Sequence, residues 1–465
     1  MDKPNYTNFF TDTRKNVLAT TVFILLFLLI SPVFPGVKWF RLGDFTLYTV
    51  NFYHTIMIPL AFILILVATS VFSSVNWIKK AINLTTYPIL IFSFLGLVLF
   101  YPPSAAIVDE IMQAIRDILM LVDAIGLILL LLVFPFKAKT QFKSVYGGFA
   151  LTLLATISAT IAAIFGMLLE YGNLYGFAAF GPINSYINSI GGLSTFLGNA
   201  WTLHSHQMLP AVMGGIVGLT AVVLGYNKLS KGMRNLVNIG MLISVFGVIS
   251  MTAMYFIAAV GTWVIPAIFV SGAGGANGLA LDDSQTGIIG IGAIIALFGL
   301  VKAVDVAKGR KYIQLSSLGT WVAAMATMVG VGYVIEFNEV YYGFGDPTQG
   351  AGALYDQAYT DGHLMFAFFF LVVVAGILLA SFYLNKGDHK YFKLASYFAV
   401  GGMIIAFEGL LVYVMTLNWV TEAIGIVLLF ISLAMATIPI ASAEPPRPMV
   451  DTNKENSRTL PQGKF

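Results

Sequence analysis

Residues 199–218, NAWTLHSHQMLPAVMGGIVG, decide how the rest of the chain is read. Two histidines, His204 and His206, stand at the mouth of an apolar run that holds no other ionisable residue. On a helix, positions i and i+2 point about 200° apart. One helix therefore presents an imidazole to each of two flanking neighbours. A zinc pair of the metalloprotease kind uses i and i+4 on one face instead. Two ligands facing opposite ways suit two large planar cofactors, one on each side of the helix.

The surroundings of this stretch are apolar throughout. Of 465 residues, 58% are hydrophobic and 10% charged, and the mean hydropathy is +0.86. A soluble fold cannot hide that much apolar surface, so the expected class is all-α, a polytopic membrane protein of about twelve transmembrane helices. The expected spans are 17–35, 48–72, 87–101, 118–136, 145–171, 199–226, 235–268, 287–307, 314–337, 362–384, 393–417 and 420–441. Ser104–Asp117 reads as an interfacial helix between the third and fourth. There is no cysteine, which excludes disulfides, thiolate haem ligation and cysteine-bound iron–sulfur clusters. Val17–Pro35 is long enough to span and no A-x-A-type site follows it, so the first span is expected to serve as its own insertion signal.

Positive charge orients the spans. Arg14 and Lys15, Lys79 and Lys80, and Lys137, Lys139 and Lys143 fall on one side. Lys228, Lys231 and Arg234, then Lys308, Arg310 and Lys311, then Lys386, Lys390 and Lys393 continue on that side, as does the tail with Arg447, Lys454, Arg458 and Lys464. Only Lys38, Arg41 and Arg116 fall on the other. Both termini are therefore expected in the cytoplasm of a prokaryotic cell, with the chain multi-pass in its plasma membrane. The net charge of +3 is sorted by topology, and no nucleic-acid partner is expected. The tail 441–465, with Pro445, Pro446 and Pro448, reads as polar and disordered. No second, soluble domain is present, so a large electron donor or acceptor has to be another chain.

A repeat emerges when the histidines are placed on this map. His54 lies near the outer end of the second span, in YTVNFYHTIMIPLAFILIL, and His363 at the outer end of the tenth, in AYTDGHLMFAFFFLVVV. With His204 and His206 on the sixth, histidine recurs about every 150 residues, or every four spans. Residues 1–440 thus divide into three four-helix units, 1–136, 137–307 and 308–440, rather than two six-helix halves. His389, beside Asp388 and Lys390, reads as a solvated loop residue.

Neutral imidazole is a good haem iron ligand, and a bis-histidine pair gives a low-spin electron-transfer haem. His54, His204, His206 and His363 share one depth and would hold two haems. With no CxxCH motif these would be b-type or a related form. A lone histidine near a span end is usually an interfacial hydrogen-bonding residue. Four of five at equivalent places in a repeat make a ligand set. A zinc or copper site on some of these nitrogens, or one five-coordinate haem, also satisfies the pattern. The expected pairing is His54 with His206 and His204 with His363, since spans two and ten would flank span six on opposite sides. Lys38 and Arg41, with Arg116, are candidates for haem propionates or lipid headgroups. Intramembrane carboxylates often mark proton or substrate paths. Glu408, in IIAFEGLLV, and Asp123, in LMLVDAIGL, are candidates for a proton or quinol path, or are protonated and satisfied between helices. Glu170, Glu336 and Glu422 read as interfacial, and Trp201 and Trp419 as belt residues.

Twelve spans in fours, histidines on spans two, six and ten, and an H-x-H pair resemble subunit I of the haem–copper oxidase and nitric oxide reductase superfamily. In that family, span two and the later histidine of H-x-H hold a low-spin haem and the earlier one the other haem. Here the H-x-H is on span six rather than ten, the seventh span carries no histidine, and the propionate arginines near span eleven are missing. The copper ligands are thus absent and the haem-bearing scaffold remains. In general character, a cysteine-free, cytochrome-like polytopic chain with a short polar tail, the sequence is also similar to the membrane-integral, CbsB-type subunit of the archaeal cytochrome b complex. That resemblance implies quinol oxidation within a respiratory complex and an extracytoplasmic haem protein or Rieske partner. The leading expectation is a dihaem cytochrome passing electrons from a lipid quinol to a redox protein on the outer face. The alternatives are a secondary transporter or ion channel with intramembrane histidines, and an oxygen or nitric oxide reductase with an atypical site.

The orientation is testable in intact cells. A cysteine introduced at Asn277 should react with an impermeant thiol reagent added outside, and one at Asn385 should not. The reverse pattern would show that positive charge does not set the topology here.

Overall fold

The computed structural model describes residues 10–33, 37–38, 41–42, 47–73, 75–100, 106–175, 181, 184–189, 191–260, 276–306, 371–384, 390–416 and 418–442. Among them the chain is helical apart from one antiparallel ladder, β1 (Val37–Lys38) against β2 (Arg41–Leu42). The helices are α1 (Thr13–Ile30), α2 (Leu47–Val71), α3 (Asn76–Leu84), α4 (Thr86–Phe100), α5 (Ala106–Lys137), α6 (Lys139–Tyr175), α7 (Asn184–Ser189) and α8 (Leu193–Thr202). A π turn at Leu203–Gln207 leads into α9 (Met208–Leu224), then α10 (Lys231–Val260), α11 (Ala276–Val306), α12 (Leu371–Leu384), α13 (Lys390–Thr416) and α14 (Val420–Ala441). Each expected span overlaps a described helix except the ninth, which lies outside the described residues, as does the tail beyond residue 442.

Seven helices among the described residues are long and apolar enough to cross a membrane. In such surroundings every backbone polar group has to be satisfied within the chain, which is why the apolar stretches are helical. The apolar helices differ in how deeply they are buried. In α2, 72% of Val50–Val71 is buried, against 28% of Ile107–Lys137 in α5. α2, α9 and α12 all touch one another. Spans two and ten therefore meet directly instead of being kept apart by span six, and the three form a central triangle. Around it, α1, α4 and α5 pack with α2, α6, α10 and α11 pack with α9, and α14 joins α12 to α1.

Small residues set the closest approaches. Where α10 crosses α11, a Cβ on Gly240 or Gly292 would run into the backbone of the other helix. Without a hydrophobic drive between helices in lipid, such contact supplies the packing energy.

Two segments differ from expectation. The third pass begins at Asn76 rather than 87, because α3 runs into α4 across Thr85, and together they make one 25-residue apolar stretch. Ser104–Asp117 is not a separate surface helix, since residues 106–117 are the first three turns of α5. On their buried face, Asp109 and Arg116 are both 2% exposed; Gln113 Nε2 donates to both oxygens of Asp109 at 3.0 Å, and Arg116 pairs with Asp117.

α6 is bent at Val145 (φ −131°, ψ 22°). Beyond the bend, the Gly147 N–H donates to Asn238 Oδ1 at 2.9 Å and the Gly148 N–H to Tyr226 Oη at 3.2 Å. Tyr226 Oη in turn donates to Asn238 Oδ1 at 2.8 Å. This knot ties the start of α6 to α10 and to the short turn after α9. Replacing Asn238 with Ala leaves the Gly147 N–H and the Tyr226 hydroxyl without an acceptor, at a cost of about 1–3 kcal/mol. The thermal midpoint of the detergent-solubilised protein should fall, and an unchanged midpoint would show that the knot is not needed.

Candidate functional site

The site is built where the sixth span is interrupted. Pro210 has no N–H, so it cannot donate to the His206 carbonyl one turn back. The chain meets this by placing Pro210 in the first turn of a new helix, α9, and by widening the preceding turn to i→i+5 over Leu203–Gln207. Such π turns are rare and recur at functional sites. His204 and His206 both fall in the widened turn, and positions 204 and 206 stay on opposite sides of it.

His204 is held by α6. Its Nδ1 lies 2.9 Å from the Ala162 carbonyl oxygen. A carbonyl can only accept, so Nδ1 carries the hydrogen and Nε2 is left as a bare lone pair. The ring reaches α6 because residue 166 is glycine. A Cβ there would sit 2.5 Å from His204 Nδ1 and 2.6 Å from Cε1.

His54, two turns into α2, faces the same ring. The His54 and His204 centroids are 5.8 Å apart and the planes are tilted by 44°. The sequence assigned His54 to His206, whose side chain lies outside those described; the imidazole of His204 stands beside His54, its direction fixed by the bond to the Ala162 carbonyl. Of His206 the backbone is described, and His363 lies outside the described residues, as does His389.

Arg116 lies on α5, which packs against α2, and is 2% exposed. Nε and Nη2 bind Asp117 at 2.8 and 3.3 Å, while Nη1 is buried with no hydrogen-bond partner among the described residues. Lys38 and Arg41 are register partners in the β1–β2 ladder, which packs against α2.

Of the two carboxylates picked out as path candidates, Asp123 is 2% exposed and its Oδ2 accepts from Thr85 Oγ1 at 2.6 Å. Glu408 of α13 is exposed. Glu422 is buried in the first turn of α14 against Gly409. Its neighbour Trp419 is exposed. Glu336 lies outside the described residues.

The residues not foreseen are Ala162 and Gly166, which orient His204, and Gln207. The Gln207 amide is fully buried and Nε2 donates to Ser158 O at 3.0 Å and Ser158 Oγ at 2.9 Å. Gln207 is the next polar residue after H-S-H in an otherwise apolar run, and that was the available signal.

No family model, curated protein or solved structure matches the chain. Among the described residues no group of three or more metal-ligating side chains gathers, and the site they show is the pair His54 and His204.

Gly166→Ala pushes a methyl group into the His204 ring and breaks its bond to Ala162. The expected destabilisation is on the order of 1–3 kcal/mol. If the clash is the cause, Gly166→Ala should cost little in a His204→Ala background, where the ring is gone. Equal costs in both backgrounds, read from thermal midpoints, would sink this account.

Proposed function

We propose that the chain is a dihaem membrane cytochrome that passes electrons from a lipid quinol to a redox protein on the outer face of a prokaryotic plasma membrane. The observation that carries the reading is the apposition of His54 and His204, with the tautomer of His204 set so that Nε2 is free to bind iron. Two imidazoles sharing one metal have centroids roughly 6 Å apart, given metal–nitrogen bonds of about 2 Å, and these stand at 5.8 Å. The orphaned Arg116 Nη1 suits a carboxylate such as a haem propionate, because a guanidinium nitrogen binds carboxylate oxygen well.

On this reading His54 and His204 hold one iron, and His206 and His363 the other, in place of the pairing the sequence pointed to. Bound haem supplies a one-electron iron centre whose potential depends on its ligands and their hydrogen bonds. The protein's part is to fix those terms. The Ala162 carbonyl raises the basicity of His204 and holds its ring. Gly166 allows that hold, and the apolar faces of α2 and α9 keep water away. Arg116 adds a positive charge, which favours the ferrous state. With twelve spans in three units and both termini in the cytoplasm, the histidines would hold both haems at one depth near the outer face, and the haems would supply a sideways and outward route for electrons. The remaining partners are the bilayer, the quinol and an extracytoplasmic haem or Rieske protein, as in the archaeal cytochrome b complex that the sequence resembles.

A visible spectrum of the purified protein tests the reading. Sharp reduced bands of a b-type haem are expected, and a transporter gives none. His54→Ala, His204→Ala and the double replacement should each lose the same half of the haem. A double that loses a component both singles keep would overturn the pairing, and full haem in the double would overturn the assignment.

A further inference from the structure

Gln207 has a hydrogen-bonding pattern that leaves one atom waiting. Thr252 Oγ1 donates to the Val248 carbonyl at 2.7 Å, so its hydrogen is used. The 2.7 Å contact between Ser158 Oγ and Thr252 Oγ1 is then a bond donated by Ser158. Ser158 Oγ therefore accepts from Gln207 Nε2 at 2.9 Å, and the Ser158 carbonyl accepts from the same nitrogen at 3.0 Å. Turning the amide over would set its oxygen against a carbonyl, so the orientation is fixed. Gln207 Oε1 is left buried, able only to accept, and without a partner among the described residues.

A buried acceptor with no donor is costly in a protein interior. The side chain that carries it is fully buried and flanked in sequence by apolar Leu203 and Leu209, which are buried as well. A ligand that reaches it has to dissolve in lipid and has to bring a hydroxyl or N–H group. The position is next to the histidine pair. Gln207 holds the Ser158 carbonyl and His204 the Ala162 carbonyl, four residues apart on α6 and so about 6 Å along its axis.

We propose that Gln207 Oε1 accepts a hydrogen bond from a hydroxyl of a reduced, membrane-dissolved quinol, and that this acceptor makes the site prefer the reduced carrier to the oxidised one. The inference rests on the quinol-oxidising reading above. Its physical basis is the difference between the two forms of the carrier. A quinol offers O–H donors, whereas a quinone offers only carbonyl oxygens, whose lone pairs face the lone pairs of Oε1. The site thus holds substrate and lets product go. Glu408 and Asp123, the carboxylates considered for such a path, are respectively exposed on α13 and already bonded to Thr85.

The test compares anaerobic binding of tetramethyl-quinol and tetramethyl-quinone to the full-length holoprotein in nanodiscs, by calorimetry. The wild type should bind the quinol about tenfold more tightly, the worth of roughly one good hydrogen bond. Gln207→Met, of similar volume, should bring the two affinities within about twofold while keeping the wild-type haem bands. Equal affinities in the wild type would overturn the proposal, whether or not the variant folds. This is the result expected if a water molecule alone satisfies Oε1. A preference unchanged in Gln207→Met would also overturn it. The readout is separate from the haem assignment: a wild type without haem bands refutes the cytochrome reading, while the binding ratio reports on Gln207 alone.

Discussion

The bond from His204 Nδ1 to the Ala162 carbonyl is the contact on which the site depends. It joins the interrupted sixth span to α6, chooses one of two imidazole tautomers, and aims the ring at α2. Each consequence follows from the carbonyl being an acceptor and nothing else. The bond is possible only because Gly166, one turn on, has no side chain. A helix carbonyl has a second lone pair beyond the one used in the helix, and α6 lends two such carbonyls, at Ser158 and Ala162, to the π turn.

The same economy of polar groups holds through the bundle. Serine and threonine hydroxyls bond back into their own helices, as Thr20, Thr55 and Thr152 do, or across to a neighbour, as Ser432 does to Ala395. Asn16 of α1 reaches Asn83 of α3. Among the described residues, the buried side-chain atoms that find no partner include Arg116 Nη1 and Gln207 Oε1. One is a donor with a charge, the other an acceptor without one, so they call for different ligands.

The helices that carry histidine on the sequence map are the ones that pack together at the centre, α2 with α9 and α12.

The sequence by itself determined the helical class, the apolar helices and their approximate ends, since hydropathy and length are local properties. It also singled out His54 and the H-x-H pair, because an imidazole in an apolar run is conspicuous without any neighbour. It misjudged the start of the third pass and the course of residues 104–117, where amphipathic turns look alike whether they lie on a surface or against another helix. The tertiary structure alone brought the His204 imidazole beside His54, through the π turn before Pro210 and a carbonyl 42 residues away. It alone decided that Asp123 is bonded and that Arg116 and Gln207 are not fully so. Hydrogen-bond satisfaction is a property of pairs brought together by folding, and no single residue type carries it.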